Sequence, residues 1–177
     1  MKWLLVWVLA WAIPAHADEK LWSLLKGGGH VVLIRHAITT PGAGDPPGFK
    51  LEDCSTQRNL TDEGRRHARS IGEQFAKRKI PVERVLSSPW CRCIETAKLA
   101  FGRMDEISTP LSNLFGRSEN RERQMAELKK IAAVKPKGNL VLVTHGSVVQ
   151  PLTGISPGTG EMVILSQGKV IGRLLYP

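Results

Sequence analysis

Two histidines and an arginine stand where short apolar runs stop, and a second arginine follows a third such run at the start of a helix. Val31 to Ile34 gives way to Arg35 and His36, and Leu140 to Val143 gives way to Thr144, His145 and Gly146. Four apolar residues rich in β-branching are too few for a helix and read as a strand buried on both faces. Ligands of open α/β sheets sit beyond the carboxyl ends of the strands, so an arginine fork and an imidazole there suit anion binding and nucleophilic attack. After the second run, Gly146 lets backbone pass close to a ligand. Residues 147–153 read as a short helix whose free N–H groups point to the same place. Between the two runs, Val82 to Leu86 reads as a third strand. Ser88 is the expected cap and Pro89 the expected first residue of a helix reaching about Phe101, with Gly102 beyond it. Arg92 falls in the first turns of that helix, where the dipole disfavours a cation, so its presence implies an anion nearby.

The other elements must bring these ends together. Asp18 to Lys26 reads as a short amphipathic helix closed by Gly27-Gly28-Gly29. Thr61 is the expected cap of a helix with Asp62 and Glu63 in its first turn and Gly64, Ala68, Ile71 and Phe75 inward, with His67 on the solvated side. Glu106 to Ser108 reads as an edge strand, and Pro110 to Arg117 as a loop crossing towards the pocket. A helix is expected from about Glu119 to Val134, with Met125, Leu128, Ile131 and Ala132 inward. Glu161 to Ser166 and Lys169 to Leu175 flank "SQGK" as a hairpin at the sheet edge. Residues 38–59, centred on "PGAGDPPG", form a long loop of the kind that serves as a rim or lid. Within it Thr39, near His36, is a candidate phosphate ligand through its hydroxyl.

Taken together these segments resemble the histidine phosphatase superfamily, in its phosphoglycerate mutase-like branch. The R-H-G or R-H-A motif matches Arg35, His36 and Ala37, and S-S-x-x-x-R-x-x-x-T-A matches Ser87, Ser88, Arg92, Thr96 and Ala97. L-T-x-x-G-x-x-x-A matches Leu60, Thr61, Gly64 and Ala68, and the second H-G matches His145 and Gly146. The resemblance covers nearly all of residues 18–177 and implies an α/β fold, a three-layer α-β-α sandwich around a mostly parallel mixed sheet. It implies a metal-independent phosphoric monoester hydrolase without a cofactor. His36 would attack phosphorus while Arg35, Arg92 and His145 hold the equatorial oxygens. Where the branch often has a proton-donating Glu in an L-x-E pattern, this chain has Leu111-Ser112-Asn113. Glu161 and Glu119 are the replacement candidates, Glu161 favoured because it begins a strand after a glycine-rich loop.

Residues 1–17 read as a secretory signal peptide. Lys2 supplies the positive start, Trp3 to Ile13 the apolar run, and Ala15-His16-Ala17 a small-x-small cleavage site. An apolar run of 11 residues is well short of the roughly 20 that a membrane span needs. Cleavage after Ala17 leaves residues 18–177 as a single domain in a periplasmic or secreted setting, with no membrane span. The three cysteines, Cys54, Cys91 and Cys93, would then meet an oxidising environment. Two residues apart on a helix, Cys91 and Cys93 point to different sides, so the expected bridge joins Cys54 to one of them. A formal net charge of +9 fits a small phosphorylated substrate or a phosphate group of the envelope. Nucleic acid is not expected as a partner, since no basic-aromatic motif is present. A second enzymatic reading is a protein phosphohistidine phosphatase, and a reading of another class is a non-catalytic envelope protein that uses the pocket only to bind phosphate.

Overall fold

The computed structural model describes residues 14–116 and 119–175. The apolar run Trp3–Ile13, on which the signal-peptide expectation rests, lies outside them. Six strands make one sheet, β1 (His30–Arg35), β2 (Val82–Ser87), β3 (Glu106–Ile107), β4 (Asn139–Thr144), β5 (Met162–Ser166) and β6 (Lys169–Leu174), in the order β3-β2-β4-β1-β5-β6. The first four in that order are mutually parallel, whereas β5 and β6 run antiparallel to their neighbours. The hairpin between β5 and β6 turns through Gln167 and Gly168, both at positive φ (49° and 78°), which matches the strand twist.

Alternating side chains of the central strands feed two cores. Val32, Ile34, Val141, Val143, Met162 and Ile164 face α1 (Pro14–Lys26), α2 (Asp62–Lys77) and α3 (Cys91–Phe101) through Leu25, Ile71, Phe75 and Ala97. Val31, Leu33, Leu140, Leu142, Val163 and Leu165 face α4 (Arg121–Ala132) and α5 (Gly146–Thr153) through Met125, Leu128, Val148 and Val149. Each Val, Leu, Ile, Met or Phe among them, removed from water, contributes about 1.5–3 kcal/mol, and the three-layer α-β-α arrangement follows from strands apolar on both faces.

Helix α2 sits against backbone on two sides. A Cβ at Gly64 would lie 1.9 Å from the Ile38 carbonyl oxygen, and one at Gly72 would lie 1.7 Å from that of Ala100. Only glycine admits this approach, which seats α2 on the segment after β1 and on α3. As expected, the Thr61 hydroxyl caps α2, accepting from the Gly64 amide at 3.0 Å.

Helix α3 departs from its expected start. It begins at Cys91, with Trp90 at the cap position and no side-chain cap of its own, so neither Ser88 nor Pro89 fills the role foreseen for it. A distant residue serves instead: the Cys91 amide donates to Gln57 Oε1 at 3.0 Å. At the far end Gly102 adopts the left-handed conformation (φ 67°) that ends the helix.

Candidate active site

The two histidines meet because of sheet register. Arg35 pairs with Thr144 across β1 and β4, so His36 and His145, one residue further along each strand, are neighbours with ring centroids 5.4 Å apart. The His36 amide donates to the Thr144 carbonyl at 2.9 Å, and the Ser88 amide to that of Val143 at 2.9 Å. Three strand ends are thereby tied together, and Arg92 enters from the helix after β2.

His36 is almost wholly buried. Its Nδ1 lies 2.9 Å from the Ala37 carbonyl oxygen, which can only accept; Nδ1 therefore carries the proton and Nε2 keeps a free lone pair. Burial lowers its pKa to about 3; the Ala37 hydrogen bond opposes that, and Arg92, Arg35 and Arg58 reinforce it. The ring is neutral at ordinary pH. Thr96 braces the same corner, accepting from the Ala37 amide at 3.1 Å and donating to the Arg92 carbonyl at 2.7 Å.

His145 is held from behind. Its Nε2 lies 2.8 Å from Ser88 Oγ and 3.5 Å from the Cys93 sulfur, and its ring packs edge-on against Trp90. Ser88, foreseen as a helix cap, orients an imidazole instead. Burial, then His36 and the arginines, push the His145 pKa well below its usual value. Burial also pushes the Cys93 thiol up to about 12, so Cys93 packs here as a protonated thiol. The disulfide joins Cys54 to Cys91 with Cα atoms 5.7 Å apart, stapling the loop after β1 to the first residue of α3.

A cavity of about 370 Å³ holds Arg35, His36, Arg92 and His145 together. Its rim is Gly42, Ala43 and Gly44 of the loop after β1, together with Asn113 and Phe115 of the crossing segment. It also holds a third guanidinium, Arg58, which the sequence reading passed over; its place just before the Leu60-Thr61 motif was the available signal. Arg58 Nη1 donates to the Gly42 carbonyl at 2.8 Å. In Arg35, Arg58 and Arg92 alike, the Nε atom is buried without a hydrogen-bond partner. Three such donors around two neutral imidazoles make a site for an oxyanion with several oxygens.

Arg92 already has one anion. Its Nη1 lies 2.6 Å from Asp45 Oδ1 and its Nη2 3.2 Å from Asp45 Oδ2, with side chains only 1% and 2% exposed. Asp45 also accepts from Trp90 Nε1 at 2.9 Å and from the Arg58 amide at 3.1 Å. Burial alone would raise its pKa, but the bonds from Arg92, the Arg58 amide and Trp90 hold the carboxyl below its usual range.

The remaining candidates lie apart from this group. Thr39 forms an isolated bridge with Leu60 and does not line the cavity. Glu119 lines a separate depression of about 650 Å³. Glu161 sits where its charge acts on Arg35, opposing the lowering that burial imposes on that guanidinium; it does not line the cavity either. Among the described residues no carboxylate lines the cavity, and Asn113 presents an amide at its rim. His67, expected in solvent, is half-buried with its ring against Gly160, where a Cβ would meet it at 2.2 Å.

Comparison with known proteins bears on the fold and the motifs. The family model of the histidine phosphatase superfamily (branch 1) matches residues 31–114. No curated protein matches the chain. Among solved structures, a protein assigned as the phosphohistidine phosphatase SixA from Agrobacterium tumefaciens is 21% identical with a TM-score of 0.56, over 84% of this chain and 99% of that one. A phosphoserine phosphatase from Entamoeba histolytica is 13% identical with a TM-score of 0.58, over 83% and 97%. A mycobacterial glucosyl-3-phosphoglycerate phosphatase, solved with VO3, is 16% identical with a TM-score of 0.54, over 78% and 93%. At these identities the likeness is one of fold.

Proposed function

From the premise that this chain belongs to the histidine phosphatase superfamily, we propose that it hydrolyses phosphate monoesters through a phosphohistidine formed on His36. The observation that carries the reading is a neutral His36, its Nδ1 proton on the Ala37 carbonyl, beside three guanidiniums with unpartnered buried Nε atoms. Nε2 attacks phosphorus in line while Arg35, Arg58, Arg92 and His145 take the equatorial oxygens. A loose phosphoryl-transfer transition state asks mainly for positioning and charge neutralisation. A Ser88 hydroxyl that donates to His145 Nε2 leaves the His145 proton on Nδ1, available to an oxygen. Water then attacks the phosphohistidine and regenerates Nε2.

The leaving group is the distinctive point. With no carboxylate lining the cavity among the described residues, the enzyme forgoes general acid catalysis, worth roughly 10²–10⁴ in rate. Good leaving groups, aryl phosphates and phosphoramidates, are therefore its preferred substrates over alkyl esters. The same observation favours a second reading, hydrolysis of phosphohistidine on a protein, since a phosphoramidate leaves without a strong acid. We place the enzyme in the periplasm, acting on a phosphate of the envelope. The Cys54–Cys91 disulfide and the apolar leader support that setting.

The test is a rapid quench of the protein mixed with ³²P-labelled aryl phosphate. Base-stable, acid-labile label is expected on the wild type and absent from His36→Ala. Arg92→Ala or Arg58→Ala is expected to cost on the order of 10²–10³ in kcat. Binding of the ester without turnover or label in the wild type would instead establish a phosphate-binding module.

A further inference from the structure

Among the described residues Asp45 is the one carboxylate hydrogen-bonded to a guanidinium of the cavity, and its placement is stereochemically specific. A guanidinium offers two bidentate edges, one at its end formed by Nη1 and Nη2, and one at its side formed by Nε and Nη2. Asp45 takes the end edge of Arg92, with Oδ1 on Nη1 at 2.6 Å and Oδ2 on Nη2 at 3.2 Å. The Arg58 carbonyl takes a further Nη1 proton at 3.4 Å. Arg92 Nε, by contrast, is buried without a partner, in a residue that lines the cavity. The side edge is thus the one whose Nε has no hydrogen-bond partner in the protein.

We propose that Asp45 is a positioning residue of this site: by holding the end edge of Arg92 it presents the side edge, Nε and Nη2, to two oxygens of the bound phosphoryl group. The identity of that anion rests on the phosphohydrolase reading; the geometry does not. Asp45 is itself fixed by Trp90 Nε1 and the Arg58 amide, so the fork is anchored to α3 and to the loop after β1 together. A carboxylate beside a dianion site weakens ground-state binding by repulsion. Its compensating effect is orientation, since an error of about 1 Å in placing a reacting group costs on the order of 10² in rate. The two effects act on different constants, which makes them separable.

The experiment is a double-mutant cycle of Asp45→Asn and Arg92→Lys, read in kcat and KM for an aryl phosphate, with a thermal melt to check folding. Asp45→Asn alone is expected to lower kcat about 10- to 100-fold while leaving KM unchanged or lower. Lysine has no fork to orient, so in the Arg92→Lys background the same change should alter kcat by less than about threefold. A kcat kept within about threefold in the otherwise wild-type protein, or an equal loss in both backgrounds, overturns the proposal. If Asp45→Asn does not fold, Asp45→Glu, which displaces the carboxylate by one methylene, enters the cycle with the same expectations. A second readout is independent of turnover: the Arg92 Nε–H resonance in ¹H–¹⁵N spectra, assigned through Arg92→Lys, under titration with tungstate. It should shift in the wild type and lose most of that shift in Asp45→Asn. An unmoved resonance in the wild type, or equal shifts in both, overturns the proposal. A wild type that turns over no ester but shows the expected shifts refutes the phosphohydrolase reading and leaves the role of Asp45 standing.

Discussion

Replacing Cys54 and Cys91 by serine separates what holds the site together from what holds the chain together. The bridge closes a segment of 37 residues, and the chain-entropy relation for a loop of that length gives about 4 kcal/mol of stabilisation through the unfolded state. An unfolding entropy of about 2.1 cal/mol/K per residue over residues 18–177 converts that into a fall in Tm of about 12 °C. Catalysis should fare differently. The Cys91 amide stays bonded to Gln57 Oε1 at 3.0 Å, and Arg92 stays paired with Asp45, so the folded site keeps its geometry without the sulfur bridge. The assay is a calorimetric melt of Cys54→Ser/Cys91→Ser beside wild type, with kcat on an aryl phosphate at 25 °C. The expected result is the full loss of Tm with kcat changed less than about threefold. A Tm within about 2 °C of wild type would refute the entropic account, and a tenfold loss of kcat would show that the disulfide, not Gln57 and Asp45, seats α3.

Two further outcomes follow from burial. His36 and His145 are held neutral in the folded protein, His36 with a pKa of about 3 and His145 with one well below 6.5, while the unfolded chain takes up both protons near pH 6.5. Below that pH the unfolded state binds more protons, so stability falls on acidification, by about 1.4 kcal/mol per pH unit for each imidazole. Urea midpoints between pH 6.5 and pH 4 should show this, His36→Gln should reduce the slope, and a flat profile would contradict it. Gly72→Ala places a methyl on the Ala100 carbonyl at 1.7 Å and is expected to cost about 3 kcal/mol by forcing α2 off α3; a chemical melt within 1 kcal/mol of wild type would show that the helices can part cheaply.

What the sequence disclosed was local. Val31–Ile34 and Leu140–Val143 betray their strands because both faces of a central parallel strand are covered, and His36, Arg35 and His145 are legible as the residues that stop them. Gly102 and Thr61 announce helix ends because their partners lie within a turn. The misses all concern partners far along the chain. Ser88 and Pro89 carry the signature of a helix start, yet Ser88 serves His145 and the cap arrives from Gln57, 34 residues away. The place of Arg92 in the first turns of a helix calls for an anion, but nothing in its neighbourhood points to Asp45, 47 residues earlier. Arg58 and Asp45 lie in a loop with no periodicity to mark an inward side, and Glu161 stood out only by its place at a strand's start. Loop residues become readable when the tertiary structure decides what they touch.

The pairing of Arg35 with Thr144 has one last implication, for how the molecule fails when warmed. His36 and His145 cannot part unless β1 slides along β4, and a slip of one residue would turn Val31 and Leu33 into the opposite layer. Their mutual spacing therefore lasts as long as the sheet itself. The loop bearing Asp45 is held by the Cys54–Cys91 bridge and by side-chain hydrogen bonds to Arg92 and Trp90 rather than by a strand ladder, so warming is expected to loosen it before the pairing of β1 with β4 gives way.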